Sequence, residues 1–342
     1  MKTNFFSLAM SVSLLAFGFC LTSCVPSRAA SARPSKAALA IQAAASIEEV
    51  QGLENKLIWL QANAKPDVNY VIELESDEQV TGSVERLTRG TITLRGVGAN
   101  RAISYTGASM FSRCPYSMFS VYTGATLILD NNITLKTGKC FMKMVEVSGG
   151  TLVMNDGSAI IGGRGRHGGG GGVFIGSDFG SGTFLMKGGT ISGNTNYRGY
   201  LVGGLGGATA GRYFVQTFKT TFGGGGVWVA PNGTFIKTGG TIATNSVEDI
   251  RTELTFKNER GDLEIRIPAN VPATDGQKFI QEQGYAPVNG FGSQIYFDGK
   301  NPRAIDDAVG PEMNFHFSNG VFSESKQVQS DVPVETQEED EP

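Results

Sequence analysis

The feature that most constrains this chain is a short motif that recurs four times between residues 124 and 237. Each copy has a small residue, then a threonine, then mostly apolar residues, and the four threonines are Thr126, Thr151, Thr183 and Thr234. A second β-prone piece precedes each copy, and in the clearest copies a third follows within a few residues. Successive threonines lie 25, 32 and 51 residues apart, so the last interval contains an inserted excursion or a coil that has lost the motif.

Three short strands per repeat, joined by glycine and asparagine turns, are typical of a parallel β-helix. In that fold each strand pairs with the corresponding strand of the neighbouring coils, so we expect Leu127 to stack on Leu152 in the core. The turn residues 130–131, Asp-Asn, would then lie beside 155–156, Asn-Asp, as a ladder. A flexible glycine linker does not explain the matched apolar pieces, and a β-sandwich or barrel is the main alternative.

The two ends of this stack are predicted to differ from its middle. Ser46 and Glu49 have the spacing of a capping box, and apolar residues at helical spacing follow, which predicts a helix over 46–64 that covers open strand edges. A first strand containing Val71 and Leu74 follows Pro66. Residues 248–325 contain strands without a clear repeat, including a predicted hairpin around 258–262, and form either irregular last coils with a cap or a small β domain.

The N-terminus has the features of a bacterial lipoprotein signal. Lys2 supplies a positive charge, residues 5–21 are mostly apolar, and residues 21–24, Leu-Thr-Ser-Cys, resemble a lipobox. In that interpretation Cys24 becomes the lipidated first residue and holds the protein on a membrane. The alternative is an ordinary secretory signal with a chance cysteine. No later segment has about eighteen consecutive apolar residues, so we predict no other membrane span.

These observations together predict an all-β protein, a parallel β-helix with an N-terminal capping helix and an irregular C-terminal β region. The predicted parts are a signal peptide (1–23), a flexible tether (24–45), a cap helix (46–64), a parallel β-helix (67–247) with an excursion at 196–222, a C-terminal β region or cap (248–325) and an acidic disordered tail (326–342).

The chain resembles spirochaete surface lipoproteins of the treponeme type. The resemblance implies a right-handed parallel β-helix of the pectin-lyase-like fold, and it covers the lipobox and about residues 57–245. It does not extend past Asn245 or into the excursion. The stretches that carry it are Leu-Asp-Asn-Asn-Ile-Thr-Leu (129–135), Gly-Thr-Leu-Val-Met-Asn-Asp-Gly-Ser (150–158), the Gly-Gly-Gly-Val runs ending at Val173 and Val227, Gly-Gly-Thr-Ile-Ser-Gly-Asn (188–194) and Leu-Ile-Trp-Leu-Gln-Ala-Asn-Ala-Lys (57–65).

Groups that could perform catalysis are sparse in this sequence. Polysaccharide lyases and hydrolases with this fold cluster carboxylates on one face, whereas Asp130 and Asp156 are the only acidic pair expected at stacked positions, and both fit turn formers. His167 lies in a predicted loop and His316 alternates outward from a strand. We therefore predict no catalytic residue, no metal site and no cofactor. The glycine runs at 168–172 and 223–226 lack the Lys-Ser/Thr of a phosphate loop and are interpreted as tight corners.

Charge distribution gives the most direct indication of a binding surface. Residues 157–247 contain seven Lys or Arg and one Asp, and the excursion adds several aromatic residues. We predict a possible ligand-binding surface for glycans or a partner protein at Arg198, Tyr200, Arg212 and Tyr213. The alternative is that these aromatic residues pack on the coils. A net charge of −3 and export argue against nucleic acid as a partner.

Two cysteines remain once the signal peptide and Cys24 are set aside. Cys114 and Cys140 are 26 residues apart, close to the repeat step of 25, which would make them neighbours on successive coils. Strands one coil apart lie at about the Cα separation that a disulfide needs, and export would permit oxidation. The sequence leaves open whether Cys114 and Cys140 form a disulfide or remain two buried free thiols.

Two classes of function follow. The first is a non-enzymatic, lipid-anchored surface protein that binds host or envelope glycans or proteins, or serves as a structural spacer. The second is a carbohydrate-active β-helix enzyme, a polysaccharide lyase or glycoside hydrolase, that acts on an acidic polysaccharide. The lack of clustered carboxylates favours the first, and the oligomeric state stays open.

Overall fold

The computed structural model describes most of the chain between residues 41 and 325. The described residues are 41, 44–81, 86–106, 115–137, 140, 142–165, 169–176, 180–197, 223–250, 292–298 and 302–325, together with the strands at 199–203, 212–217, 253–258, 264–268, 273–274, 279–282 and 285–287. For the strands between 199 and 217 and between 253 and 287, and for residues 249–250 and 324–325, the description is of the backbone alone. The predicted signal peptide, Cys24 and the acidic tail therefore lie outside the described residues.

Between residues 44 and 68 the described chain forms a helix, α1 (Leu53–Asn63), and the predicted start of this helix near Ser46 is wrong. Gly52 precedes α1 with a φ of 77°, a left-handed conformation that separates the helix from the turns at 44–50. The capping-box residues act inside those turns. The Glu49 carboxylate accepts the N–H of Ala45 at 3.0 Å, and a hydrogen bond from Ser46 lowers the pKa of Glu48.

The strands are short and follow one another closely along the chain. The N-terminal strands are β1 (Asn69–Leu74), β2 (Glu78–Val80), β3 (Arg86–Leu87), β4 (Gly90–Gly96) and β5 (Arg101–Tyr105). The middle strands are β6 (Ser117–Tyr122), β7 (Ala125–Leu129), β8 (Ile133–Thr137), β9 (Lys143–Ser148), β10 (Thr151–Met154), β11 (Ser158–Ile161), β12 (Arg164–Gly165), β13 (Val173–Ile175), β14 (Thr183–Met186), β15 (Thr190–Ser192) and β16 (Thr195–Tyr197).

The remaining strands include those of the excursion and of the C-terminal region. They are β17 (Gly199–Gly203), β18 (Arg212–Thr217), β19 (Val227–Val229), β20 (Thr234–Lys237), β21 (Thr241–Ala243), β22 (Ser246–Ile250), β23 (Glu253–Asn258), β24 (Glu264–Pro268), β25 (Ala273–Thr274), β26 (Phe279–Glu282), β27 (Tyr285–Pro287), β28 (Ile295–Phe297), β29 (Arg303–Ile305), β30 (Asn314–Ser318) and β31 (Val321–Ser325).

The strands form mostly parallel sheets, and from β1 to β17 consecutive strands belong to different sheets. Sheet 1 has the order β1-β4-β7-β10-β14-β20-β30-β31, sheet 2 has β2-β5-β8-β11-β15-β21, sheet 3 has β3-β6-β9-β13-β19-β28-β29, and sheet 4 has β12-β16-β22-β27. Within these four sheets the pairs are parallel up to β20, β21, β22 and β28, and the strands added beyond them are antiparallel. Two smaller sheets, β17-β18-β25 and β24-β23-β26, are antiparallel. The protein is therefore an all-β protein dominated by parallel sheets.

The register of sheet 1 confirms the alignment of the repeated motif. Thr151 pairs with Thr126 on one side and with Thr183 on the other, and Thr183 pairs with Thr234. The residues that follow these threonines, Leu127, Leu152, Phe184 and Phe235, are completely buried and form the core. The predicted turn ladder is also confirmed, since Nδ2 of Asn155 donates to Oδ1 of Asp130 at 3.0 Å.

A column of buried amides, the amide ladder, connects three segments that lie next to strands β16, β22 and β28. It consists of Asn194, Asn245 and Gln294. Nδ2 of Asn194 donates to Oδ1 of Asn245 at 2.9 Å, and Nδ2 of Asn245 donates to Oε1 of Gln294 at 2.8 Å. Backbone groups satisfy further atoms, for example the N–H of Gly163, which donates to Oδ1 of Asn194 at 2.8 Å. Such a satisfied buried network fixes the register between coils.

The C-terminal region ends the parallel stack. β28 still adds in parallel to β19, whereas β30 pairs with β20 in the antiparallel direction. The predicted hairpin is confirmed, because β23 and β24 pair in the antiparallel direction. Lys237, completely buried at the end of β20, donates from Nζ to the carbonyls of Gly310 at 2.7 Å and Met313 at 3.0 Å. Burial lowers the pKa of Lys237 to about 8, and the nearby Glu312 carboxylate opposes that shift.

Candidate binding surface on sheet 3

One row of positions on sheet 3 faces away from the main core. Phe174 pairs with Trp228, and Trp228 pairs with Tyr296. The flanking valines and isoleucines of the same strands lie in the main core, whereas these three rings form a separate cluster with Ala230. Because residues alternate sides along a strand, the rings occupy the outer face. We call Phe174, Trp228 and Tyr296 the aromatic column.

The in-register pairing of parallel strands brings two of these rings face to face. The centroids of Phe174 and Trp228 are 4.4 Å apart with an interplanar angle of 14°. Nζ of Lys143 lies 3.6 Å from the centroid of the Phe174 ring. A cation over a ring face is attracted by the ring quadrupole, by about 0.5–2 kcal/mol.

Polar side chains continue the row on the side of the earlier coils. Glu146 pairs with Phe174 in the sheet, and its carboxylate lies 3.4 Å from Nζ of Lys143. The Ser148 hydroxyl donates to Oε1 of Glu146 at 3.2 Å. Ser120, the sheet partner of Glu146, shares a hydrogen bond of 2.7 Å with Ser117. Glu146 therefore has a cation and a hydroxyl as partners, and the row changes from polar to aromatic along the stack.

The indole N–H of Trp228 is the exception to this pairing of polar groups. Trp228 is 6% exposed, and its Nε1 is a buried donor without a hydrogen-bond partner among the described groups. The other tryptophan, Trp59, donates from Nε1 to the carbonyl of Ala44 at 2.9 Å. A buried donor left unpaired costs about 1–3 kcal/mol. This atom is the strongest local sign of a ligand.

The glycine runs form tight corners beside this column, which confirms their predicted role. A Cβ on Gly171 would lie 2.6 Å from the carbonyl oxygen of Gly225, so the two corners stack at a distance that only glycine allows. A Cβ on Gly169 would lie 2.7 Å from Cγ of Trp228. The backbone at Gly169 therefore packs directly against the indole ring.

The predicted ligand-binding residues lie in the excursion that follows β16. Arg198 lies outside the described residues, Tyr200 is on β17, and Arg212 and Tyr213 are on β18. β17 and β18 pair in the antiparallel direction, with Tyr200 opposite Gln216. By strand alternation, the positions of Tyr200 and Arg212 share one face of this hairpin, and the position of Tyr213 belongs to the other. Of the three described positions, Tyr200 and Tyr213 thus belong to opposite faces of the hairpin, and the ligand-binding role of the four residues stays a prediction.

Sequence reasoning missed the aromatic column, although a pattern for it was present. Apolar pieces precede the repeated motif, and Val173–Ile175 and Val227–Val229 each carry an aromatic residue between two core residues. A third such piece, Ile295–Phe297, lies beyond the region where the repeat is recognisable. Their middle residues align once the strands are stacked in register.

Two of the other polar residues considered in the sequence, Asp130 and His316, lie within the described part of the chain. Asp130 accepts a hydrogen bond from Asn155, and its Oδ2 lies 3.9 Å from a guanidinium nitrogen of Arg95. His316 is exposed on β30. His167 lies outside the described residues. Among the described residues, no group of three or more His, Cys, Asp or Glu is placed to hold a metal ion. Cys140 is buried and disulfide-bonded, while Cys114 lies outside the described residues, so their pairing stays a prediction.

Comparison with known proteins gives no family for this chain. No protein-family model matches it, and neither a curated protein nor a solved structure matches it. No helix in the described part of the chain is long and apolar enough to cross a membrane.

Proposed function

We propose that this chain is a lipid-anchored, non-enzymatic binding protein of a bacterial cell envelope, built on a right-handed parallel β-helix. The in-register stacks of sheets 1 to 3, the passage of consecutive strands from sheet to sheet and the amide ladder support this scaffold. Right-handed connections between parallel strands are strongly preferred in proteins, which supports the handedness. The resemblance to treponeme-type surface lipoproteins supports the envelope location.

The anchor in this proposal is Cys24, which follows the lipobox-like residues 21–23. A lipidated Cys24 places the N-terminal end of the stack nearest the membrane. Replacing Cys24 by Ala is expected to move the protein from the detergent phase to the aqueous phase in a phase-partition experiment. An unchanged partition removes the anchor from the proposal.

The ligand in this proposal is an acidic glycan held at the aromatic column. Sugar rings stack on aromatic side chains and offer hydroxyl and carboxylate oxygens as acceptors. The unpaired indole N–H of Trp228 is the observation that carries the proposal, because a sugar oxygen would satisfy it. The excess of cations over residues 157–247 favours an acidic sugar over a neutral one.

Burial of the column has a kinetic consequence. Phe174 is 9% exposed, Tyr296 is 4% exposed, and the backbone at Gly169 contacts Trp228. A ligand reaches the indole N–H only when this covering chain is displaced. We therefore expect association rate constants below about 10⁵ M⁻¹s⁻¹, slower than simple docking to a preformed surface.

A glycan array that includes heparin, hyaluronan and polygalacturonate oligosaccharides tests this function. We expect the unaltered protein to bind acidic oligosaccharides and Trp228→Phe to bind them about tenfold more weakly. Trp59→Phe is the matched control, since it removes an indole N–H at the other end of the chain. Equal binding by both variants would falsify the role of Trp228, and unsaturated or reducing-end products released from these polymers would contradict a non-enzymatic function.

A further inference from the structure

The first strand of sheet 1 lies at the edge of its sheet. Among the described strands, β1 pairs with β4 alone. An edge strand presents a row of backbone donors and acceptors that can pair with another chain. The predicted role of the helix was to cover such edges, and α1 packs against β2 and β3, the first strands of sheets 2 and 3. At β1 the helix contributes Trp59, whose ring centroid lies 6.1 Å from that of Tyr70, but no described strand pairs with the outer backbone edge of β1.

The direction of the backbone groups of β1 follows from its pairing with β4. The N–H of Thr91 donates to the carbonyl of Val68, and the N–H of Val97 donates to the carbonyl of Leu74, both at 2.9 Å. In a parallel pair, alternate residues of a strand bond to a given neighbour. The even-numbered residues of β1 thus bond to β4, and the N–H and C=O groups of Asn69, Val71 and Glu73 point to the free edge.

Two clefts lie end to end along this strand. The first has a volume of about 430 Å³ and lies between residues 68–71 and residues 45–48. The second has a volume of about 320 Å³ and lies between residues 72–76 and residues 51–53. Together they follow the whole length of β1, and we call them the edge groove.

The lining of the edge groove mixes apolar and polar side chains at one end and is mainly acidic at the other. Val68 and Val71 are 37% and 45% exposed, among the most exposed large apolar side chains of the described residues. Glu73, Glu75 and Glu78 line the second cleft, with Lys56 as its one cation. Arg95 pairs with Glu73 at 2.7 Å, which leaves an excess of negative charge at this end.

We propose that the edge groove binds an extended basic peptide, which adds a strand to β1 and places its cationic side chains beside Glu75 and Glu78. A polypeptide is the fitting occupant because its backbone offers donors and acceptors at the spacing of a strand edge. The charge of the second cleft selects a basic sequence. This site is separate from the aromatic column and does not depend on the proposed glycan binding.

A blocked peptide of sequence Arg-Thr-Val-Thr-Val-Arg, titrated into the full-length protein by fluorescence anisotropy, tests the proposal. Because both ends carry Arg, the peptide can pair with β1 in the parallel or the antiparallel direction and still place a cation beside Glu75 and Glu78. We expect N-methylation of alternate backbone nitrogens to weaken binding about tenfold or more, because it removes strand pairing and keeps the charge. We expect Glu in place of both Arg residues to weaken it about fivefold or more at low salt. Equal binding of the N-methylated peptide overturns the proposal.

Variants of β1 separate strand pairing from simple charge attraction. Val71→Pro removes a free-edge N–H without removing a bond to β4, and we expect it to weaken peptide binding about tenfold. Val71→Thr keeps that N–H and is the matched control. Unchanged binding by a folded Val71→Pro protein contradicts the proposal.

Amide hydrogen exchange gives a readout on the unaltered protein, independent of whether the proline variant folds. We expect the amides of Asn69, Val71 and Glu73 to exchange quickly in the free protein and slowly with the peptide bound. Slow exchange of these amides without peptide, together with a dimer in sedimentation, would show that a second copy occupies the edge and would overturn the proposal.

Discussion

Two aromatic stacks in this protein join neighbouring parallel strands, one inside the core and one on the outer face of a sheet. Phe184 and Phe235 stack in the core beneath sheet 1, with centroids 4.7 Å apart at 7°. Phe174 and Trp228 stack on the outer face of sheet 3, at 4.4 Å and 14°. The geometry is nearly the same because both pairs are in-register neighbours on adjacent parallel strands.

The surroundings of the two stacks differ in polarity. The inner pair contacts further phenylalanines, such as Phe315, whose ring lies 5.0 Å from that of Phe235. The outer pair has the ammonium of Lys143 on one side and contains the unpaired indole N–H of Trp228. Ring stacking is therefore a consequence of register in this fold and indicates no function by itself. In the function we propose, the unsatisfied indole N–H of Trp228 is the reason to assign a ligand to the outer stack and none to the inner one.

The largest difference is expected when one ring is removed from each stack. Phe235→Ala should lower the free energy of unfolding by about 3–5 kcal/mol, because it leaves a cavity in a completely buried core. Phe174→Ala should cost about 2 kcal/mol or less, since its ring packs in a cluster of four residues outside the main core. Urea unfolding of both variants measures these changes in the free energy of unfolding. Equal losses of free energy in the two variants would show that the outer stack is part of the core.

Removing a satisfied buried amide should cost less than removing a core ring. Asn245→Ala breaks the amide ladder and leaves groups of Asn194 and Gln294 without partners, so we expect a loss of about 2–3 kcal/mol in the free energy of unfolding. Asn155→Ala, at the half-exposed turn ladder, is the control and should cost about 1 kcal/mol or less. A loss at Asn245 no larger than that control would show that the ladder does not hold the coils together.

Lys237 ends strand β20, which also carries Phe235 of the inner stack. The titration of Lys237 should appear in the pH dependence of the free energy of unfolding. Its pKa is about 8 in the folded state, below the ordinary 10.5, because burial disfavours the ammonium. Between these values the unfolded chain binds more protons, so the free energy of unfolding should rise with pH, by roughly 1–2 kcal/mol. Lys237→Met places at this position the residue found at Met154 and Met186 and should abolish that rise. The same pH dependence in the unaltered protein and in Lys237→Met would show that Lys237 does not cause the rise.

Much of the scaffold was predictable because it depends on local spacing. The threonine motif gave the register of sheet 1, since glycine and asparagine turns of fixed length place successive strands above one another. The helix start was mispredicted because residues 46–49 satisfy their polar groups equally well inside a turn. The aromatic column was missed because Trp228 faces outward at a position where alternation predicts a polar residue. In addition, its partners Phe174 and Tyr296 can be identified only once the strands are stacked in register.

The smallest effect on stability is expected at Trp228. Trp228→Phe keeps a ring stacked on Phe174 and removes the unpaired N–H, so the free energy of unfolding should change by less than about 0.5 kcal/mol or rise slightly. Acidic oligosaccharide binding should nevertheless weaken. Thermal unfolding measures the change in stability, and the glycan array measures the change in binding. A loss of more than about 2 kcal/mol in the free energy of unfolding would assign Trp228 a packing role instead.

We propose that the indole N–H of Trp228 is kept for a ligand, and the two tryptophans of the chain allow a direct test. Labelling tryptophan with ¹⁵N gives two indole signals, which Trp228→Phe assigns. Titration with the acidic oligosaccharide bound best on the array should shift the Trp228 signal and slow its exchange with water. The signal of Trp59, already bonded to Ala44, should stay in place. An unmoved Trp228 signal at saturating oligosaccharide would contradict the account.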